Sequence, residues 1–211
     1  VPYKPVTTPY RLSVEGKVAN HPALQVFVPE LTRMDTVRFM VHLNSQGDTT
    51  LMARIVAPRI DYDSMVVNNA DFGILGIENQ ANYVGHVDTF LYDTYQIKRA
   101  AIEGQVANSL VGFNASFKDS LYKKQHELSG TLASVGNAYR LQLAPNGFLL
   151  DYKPWKATTD GFVQFGKDGL LVQQFDLQQN RQRLLINTTT GVPNGPLRVE
   201  MDSLDLASLT A

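Results

Sequence analysis

Four histidines, His21, His42, His86 and His126, are the residues that could most readily bind a metal or carry a proton. Zinc hydrolases of the H-E-x-x-H type set two histidines four positions apart on one helical face. His126-Glu127 opens that pattern, but position 130 is Gly, so no second ligand follows. His126 therefore reads as a solvent-facing strand residue. Asp61 and Asp63 share one strand face and could pair as carboxylates or bind calcium. An EF-type site needs a longer Asn/Asp/Gly-rich loop, which is missing, so the pair reads as a solvated face. Asp151, Asp160 and Asp168 fall in separate turns, where aspartate suits the backbone geometry without any further role.

Nucleophilic and phosphate chemistry fare no better. The chain has no cysteine, which rules out thiol catalysis, disulfides and thiolate metal sites together. No G-x-S-x-G elbow, P-loop or G-x-G-x-x-G occurs. Gly73-Ile-Leu-Gly76 lacks the third glycine and the following helix, and reads as a closely packed strand. Asn114-Ala-Ser116 and Asn187-Thr-Thr189 match the glycosylation sequon but sit inside strand-like segments. The single tryptophan, Trp155, lies among Lys153, Pro154 and Lys156. It could be a stacking platform for a sugar or base, but a core aromatic at the start of a strand is preferred. Lys123-Lys124 reads as a solvated loop. No catalytic residue, metal or cofactor is expected, and a net charge of −1 gives nucleic acid nothing to bind.

What the sequence carries in abundance is alternation. Leu12, Val14, Gly16 and Val18 alternate with polar residues, as do Val37, Phe39, Val41 and Leu43. Leu51, Ala53, Ile55 and Ala57 form a third such face, and Val111, Phe113, Ala115 and Phe117 a fourth. Tyr139, Leu141 and Leu143 follow, and near the end Leu197, Val199 and Met201. Successive strand side chains point to opposite faces, so each segment has an apolar and a polar side, as in antiparallel sheets wetted on one side. Ser45-Gln-Gly-Asp48, Pro145-Asn-Gly147, Gly166-Lys-Asp-Gly169 and Asn194-Gly195 supply turns. The spacing predicts on the order of fifteen strands. Helix is confined to one turn at Pro29-Glu-Leu-Thr-Arg-Met34, with a second candidate at Leu204–Leu209. The Asp-Tyr steps at 61–62 and 151–152, each after a turn and before further strands, hint at a repeat.

So much alternating apolar surface, with no helix to cover it, must close into a barrel, fold into a sandwich or leave a groove. A groove lined by aliphatic and Phe side chains would take an acyl chain, since it offers burial and few polar anchors. No apolar run reaches the roughly 20 residues that span a bilayer. Opening on Val1-Pro2 rather than Met, the chain is expected to be one continuous segment, 1–211, of a much longer protein.

Several stretches together resemble the TamB family (translocation and assembly module, within the AsmA-like superfamily), in its Bacteroidetes form. They are Val28-Pro-Glu-Leu-Thr-Arg-Met-Asp-Thr-Val37, Ala57-Pro-Arg-Ile-Asp-Tyr62 and Ala101-Ile-Glu-Gly-Gln-Val106. They continue with Leu149-Leu-Asp-Tyr-Lys-Pro-Trp155, Asp168-Gly-Leu-Leu-Val172 and Pro196-Leu-Arg-Val-Glu-Met-Asp-Ser-Leu-Asp-Leu206. Asp151 and Asp160-Gly161 depart from the pattern. The resemblance implies an elongated, curled antiparallel sheet, a β-taco or repeating β-groove with an apolar concave face. It implies a periplasmic location, with anchoring to the inner membrane by an N-terminal helix outside this segment. It implies phospholipid transport toward the outer membrane, or support of outer-membrane β-barrel assembly with a TamA-like barrel partner. Neighbouring repeats of the same chain would continue the sheet. On that reading, phospholipid acyl chains contact Val37, Phe39, Val41, Leu51, Ile55, Val111, Phe113, Phe117, Leu141 and Leu143. The competing expectations are a scaffold that captures unfolded barrel strands by strand addition, and a compact ligand-binding β-sandwich.

Overall fold

The computed structural model describes residues 9–46 and 50–204. It is all-β and antiparallel: sixteen strands belong to one sheet that does not close, and the only helix among the described residues has six residues. The chain divides into two compact units, 1–101 and 102–211, with the division inside one strand.

The first unit contains β1 (Arg11–Val18), α1 (Pro22–Phe27), β2 (Leu31–Met34), β3 (Val37–Asn44), β4 (Thr50–Tyr62), β5 (Met65–Ile77) and β6 (Gln80–Tyr92). β7 (Tyr95–Ala107) crosses the division. Strands β1, β3, β4, β5 and β6 are successive neighbours, and β2 pairs with the far end of β4. Helix forms earlier than the sequence suggests. Pro22 suits the first turn because its missing N–H is not needed there, and the His21 ring Nδ1 caps the turn by accepting from the Ala23 N–H at 3.1 Å. The segment expected to be helical, Pro29–Met34, instead spends Pro29-Glu30 on a turn and enters β2, with Leu31 opposite Tyr62. Pairing with β4 outweighs a weak local helix signal. The other helix candidate lies, apart from Leu204, outside the described residues, as does the end of the Ser45–Asp48 turn.

Pro58 interrupts this meander. It has no N–H to give the ladder, and the register passes from Ala57 opposite Ala70 to Arg59 opposite Asn68. Asn69, across from it, takes a positive φ of 52° and donates its side-chain amide to Asp88 at 2.9 Å. The apolar positions change parity at this point, from Ala57, Ala70 and Val87 to Ile60, Val67 and Phe90.

The second unit contains β8 (Leu110–Lys118), β9 (Lys124–Val135), β10 (Ala138–Leu150), β11 (Lys153–Ala157), β12 (Phe162–Gly166), β13 (Gly169–Gln173), β14 (Phe175–Gln179), β15 (Gln182–Thr188) and β16 (Leu197–Asp202). Pro145-Asn-Gly147, expected to be a turn, lies inside β10 at a register shift between Leu143 and Phe148. The extra residues bend β10, so that one edge serves β12 at Ala138–Leu141 and β11 at Phe148–Leu150. The Gly166–Gly169 hairpin forms as expected; Gly169 has φ 109°, and a Cβ there would strike the Asn194 side chain. Asn194 uses that space to accept from the Leu170 N–H and donate to the Asp168 carbonyl, both at 3.1 Å. Thr188, 2% exposed, similarly accepts from the Val172 N–H at 2.9 Å, so side chains satisfy β13 where no strand adjoins it.

Trp155 is 4% exposed and forms the core of this unit with Leu143 and Leu177, so the core-aromatic reading holds. Asp176 is also buried, and the Arg183 guanidinium binds both its oxygens at 2.7–3.1 Å. Those hydrogen bonds hold the Asp176 carboxyl below the usual carboxylate range. A group whose folded pKa is depressed contributes stability that is present above its unfolded pKa and lost as pH falls through the folded one. Asp176→Asn is therefore expected to lower stability at neutral pH and flatten its decline below about pH 4. Denaturant midpoints across the acid range provide the check, and an unchanged slope would contradict this role.

Candidate functional site

In the first unit, register aligns the apolar residues of five strands on one side of the sheet. Leu12, Leu43, Leu51, Gly76 and Ala81 form one row across the strands, and Val14, Val41, Ala53, Ile74 and Tyr83 the next. A third row runs Gly16, Phe39, Ile55, Phe72 and Gly85. Nothing polar interrupts these rows except the Tyr83 hydroxyl, whose pKa burial pushes up. The small residues have a function here. A Cβ on Gly16 would lie 2.3 Å from the Phe39 ring, so the glycine leaves a slot into which Phe39 lies down.

This apolar side is not packed away. Leu12 is 49% exposed and Ile55 46%, with Val14, Val18 and Phe72 exposed as well. The opposite side carries Arg11, Ser13, Glu15 and Lys17 on β1 and pairs Arg54 with Asp71 through two hydrogen bonds. Arg54 holds the Asp71 carboxyl low. A hollow of about 600 Å³ lies against β1, β3 and β4, walled by Glu15, Gly16, Lys17, Arg38, Phe39, Met40, Arg54 and Val56. The apolar side is thus only partly covered, with exposed residues on β1, β4 and β5 and half-buried ones between them. Of the expected lipid contacts, Val37, Phe39, Val41, Leu51 and Ile55 all belong to it; Val37 is buried, Phe39, Val41 and Leu51 half-buried, and Ile55 exposed.

The other five share one side of the second unit. Val111, Leu132, Leu141, Val163 and Val172 form one register row, and Phe113, Gly130 and Leu143 another. Phe117 pairs with His126, ring centroids 6.4 Å apart. His126 is therefore half-buried on the apolar side rather than solvent-facing, and its Nδ1 accepts from the Asp151 N–H at 3.2 Å. Val111, Phe113, Phe117 and Leu141 are half-buried, whereas Leu143 is packed into the Trp155 cluster. The second unit has covered part of its apolar side with its own strands; on the first, Val37 and Ala57 are buried while Leu12, Val14, Ile55 and Phe72 stay exposed.

Leu12, Val14, Phe72, Ile74 and Tyr83 complete the first unit's face but were outside the expected set. For Leu12 and Val14 the alternation was visible. In Phe72-Gly-Ile-Leu-Gly-Ile77 both parities carry aliphatic residues, so only the register with β4 shows which side each takes. Asp61 is half-buried and held by Arg59 at 2.8 and 3.0 Å, while Asp63 lies in the β4–β5 turn with φ 48°. Among the described residues no three His, Asp or Glu side chains cluster as metal ligands. No protein-family model, curated protein or solved structure matches the chain.

Proposed function

We propose that the chain is a non-enzymatic lipid-binding segment whose ligand is the acyl part of a phospholipid, held on the apolar side of β1, β3, β4, β5 and β6. The observation that carries this reading is the alignment of apolar residues across β1, β3, β4, β5 and β6, with those at Leu12, Val14, Val18, Ile55 and Phe72 exposed. A contiguous apolar patch beyond a few hundred Å² is uncommon on a monomeric soluble protein unless something covers it. The rows hold no charged side chain and a single hydroxyl, that of Tyr83, which favours hydrocarbon over a polar ligand. Together with the resemblance to TamB proteins, this suggests a stretch of a periplasmic bridge that passes phospholipid toward the outer membrane, working with a barrel partner and with neighbouring repeats.

A second reading has its own observation. β1 hydrogen-bonds only to β3, leaving its outer edge unpaired among the described residues, as strand addition to an unfolded barrel segment would require. Binding separates the two. The purified chain is expected to bind a dansyl-labelled acyl probe saturably and to release it to phospholipid. Absence of probe binding, with retention of an extended β-barrel-derived peptide, would favour the scaffold.

A further inference from the structure

The turn between β8 and β9, residues 119–123, exposes two large side chains at its tip: Leu121 is 85% exposed and Tyr122 70%. The tip is built rather than loose. The Asp119 carboxylate accepts from the Leu121 N–H at 2.8 Å, the Lys123 N–H at 2.9 Å and the Tyr152 hydroxyl at 2.6 Å. The Asp119 N–H donates to the Lys123 carbonyl at 2.9 Å, closing the turn. Asp119 in turn pushes the Tyr152 phenol up to about pKa 12, so this clamp stays intact across the physiological range. Held this way, Tyr122 adopts φ 62°, a conformation bulky residues rarely take and one tolerated where surrounding structure enforces it.

Charge around the tip is asymmetric. The Asp119 carboxylate keeps its negative charge while accepting three hydrogen bonds, and Lys124 neutralises Glu127 at 2.5 Å. Lys118 is exposed, and Lys123 lies 4.7 Å from the Tyr152 ring centroid with its ammonium at the surface. The surface of this turn therefore offers a leucine, a tyrosine and two exposed cations beside one half-buried carboxylate, a net charge of one positive over residues 118–123.

We propose that this turn is an interfacial anchor that seats Leu121 and Tyr122 at the headgroup–acyl boundary of an anionic phospholipid bilayer. Tyrosine favours that boundary because its ring is apolar and its hydroxyl wet, and lysine stems lie along it with their ammonium groups among phosphates. Two side chains are far too few for a specific protein interface, which needs about 800 Å² on each partner. A bilayer accepts so small a wedge. The anchor does not depend on the apolar side of the first unit carrying lipid.

Flotation of the chain with extruded vesicles tests it. Vesicles of phosphatidylethanolamine with phosphatidylglycerol are expected to carry the wild-type chain, and Leu121→Asp to weaken binding about tenfold or more. Leu121→Trp is expected to give a blue-shifted emission quenched by brominated acyl chains, while the buried Trp155 is not quenched. Met52→Asp, equally a new surface charge but outside both the tip and the acyl rows, is expected to leave flotation unchanged. Flotation that survives Leu121→Asp, a tip tryptophan that is not quenched, or a wild-type chain that does not float would each overturn the anchor. Equal flotation on phosphatidylcholine vesicles would overturn the part given to Lys118 and Lys123.

Discussion

Phe39→Asp is expected to reduce the affinity for an acyl probe by about tenfold or more while the chain stays folded. Phe39 stands between Gly16 and Ile55 in its row, lying over the slot the glycine leaves. Removing the ring deletes one of the two phenyl groups of that row, the other being Phe72. Adding a carboxylate makes a covering hydrocarbon chain desolvate a charge, which costs several kcal/mol if no partner is supplied. The fold tolerates the change because the face is open: the carboxylate can stay hydrated when no ligand is bound, and the backbone ladder to β1 and β4 is untouched. Met52→Asp, on the polar side of β4 and also exposed, is the control expected to bind normally. Titration of the probe against both variants decides the matter; equal affinities would remove the apolar side as the binding surface.

Trp155→Ala is expected to have the largest effect on stability, about 3–5 kcal/mol. The indole is almost fully enclosed, touching Leu143 and Leu177, with the Phe148 ring centroid 6.5 Å away and Leu128, Leu150, Phe175 and Leu184 around the cluster. Its loss opens a cavity where β10, β11 and β14 meet, and rigid strands on several sides cannot collapse into it. Against a typical total of about 5–15 kcal/mol, that would leave the second unit marginal. Urea unfolding followed by circular dichroism measures the change, and a loss under about 1 kcal/mol would show that the cluster is not the core of this unit. The contrast with Phe39 is informative: an enclosed aromatic stabilises the fold, whereas a half-covered one on an open face is available to a ligand.

Much of the fold was legible because strand alternation has a period of two and tolerates few alternatives. The segments at Leu12–Val18, Val37–Leu43, Leu51–Ala57, Val111–Phe117, Tyr139–Leu143 and Leu197–Met201 all lie within strands β1, β3, β4, β8, β10 and β16. Turn chemistry was less dependable. Gly166–Gly169 makes a hairpin, but Pro145-Asn-Gly147 became a bulge, because β10 needs a bend to serve two partners along one edge. The helix expected at Pro29–Met34 was misplaced because a one-turn helix depends on its cap, and the cap of the helix at Pro22–Phe27 is the His21 ring, an unusual residue for that task. The candidate face was partly legible. Alternation within each strand is local, but which strands share a side, and which side is covered, depends on register and on contacts far apart in sequence. Leu143 and Leu141 look alike in the sequence; only the bulge and Trp155 make one a core residue.

Site-specific photocrosslinking at Ile55 and Met52 tests lipid contact most directly. The two residues lie on opposite sides of β4 and are equally exposed, 46% each, so access to solvent cannot explain a difference between them. A photoreactive amino acid at Ile55 is expected to yield phospholipid adducts by mass, with little or none from Met52. Equal labelling at both positions, or adducts with protein alone at Ile55, would contradict lipid binding on the apolar side.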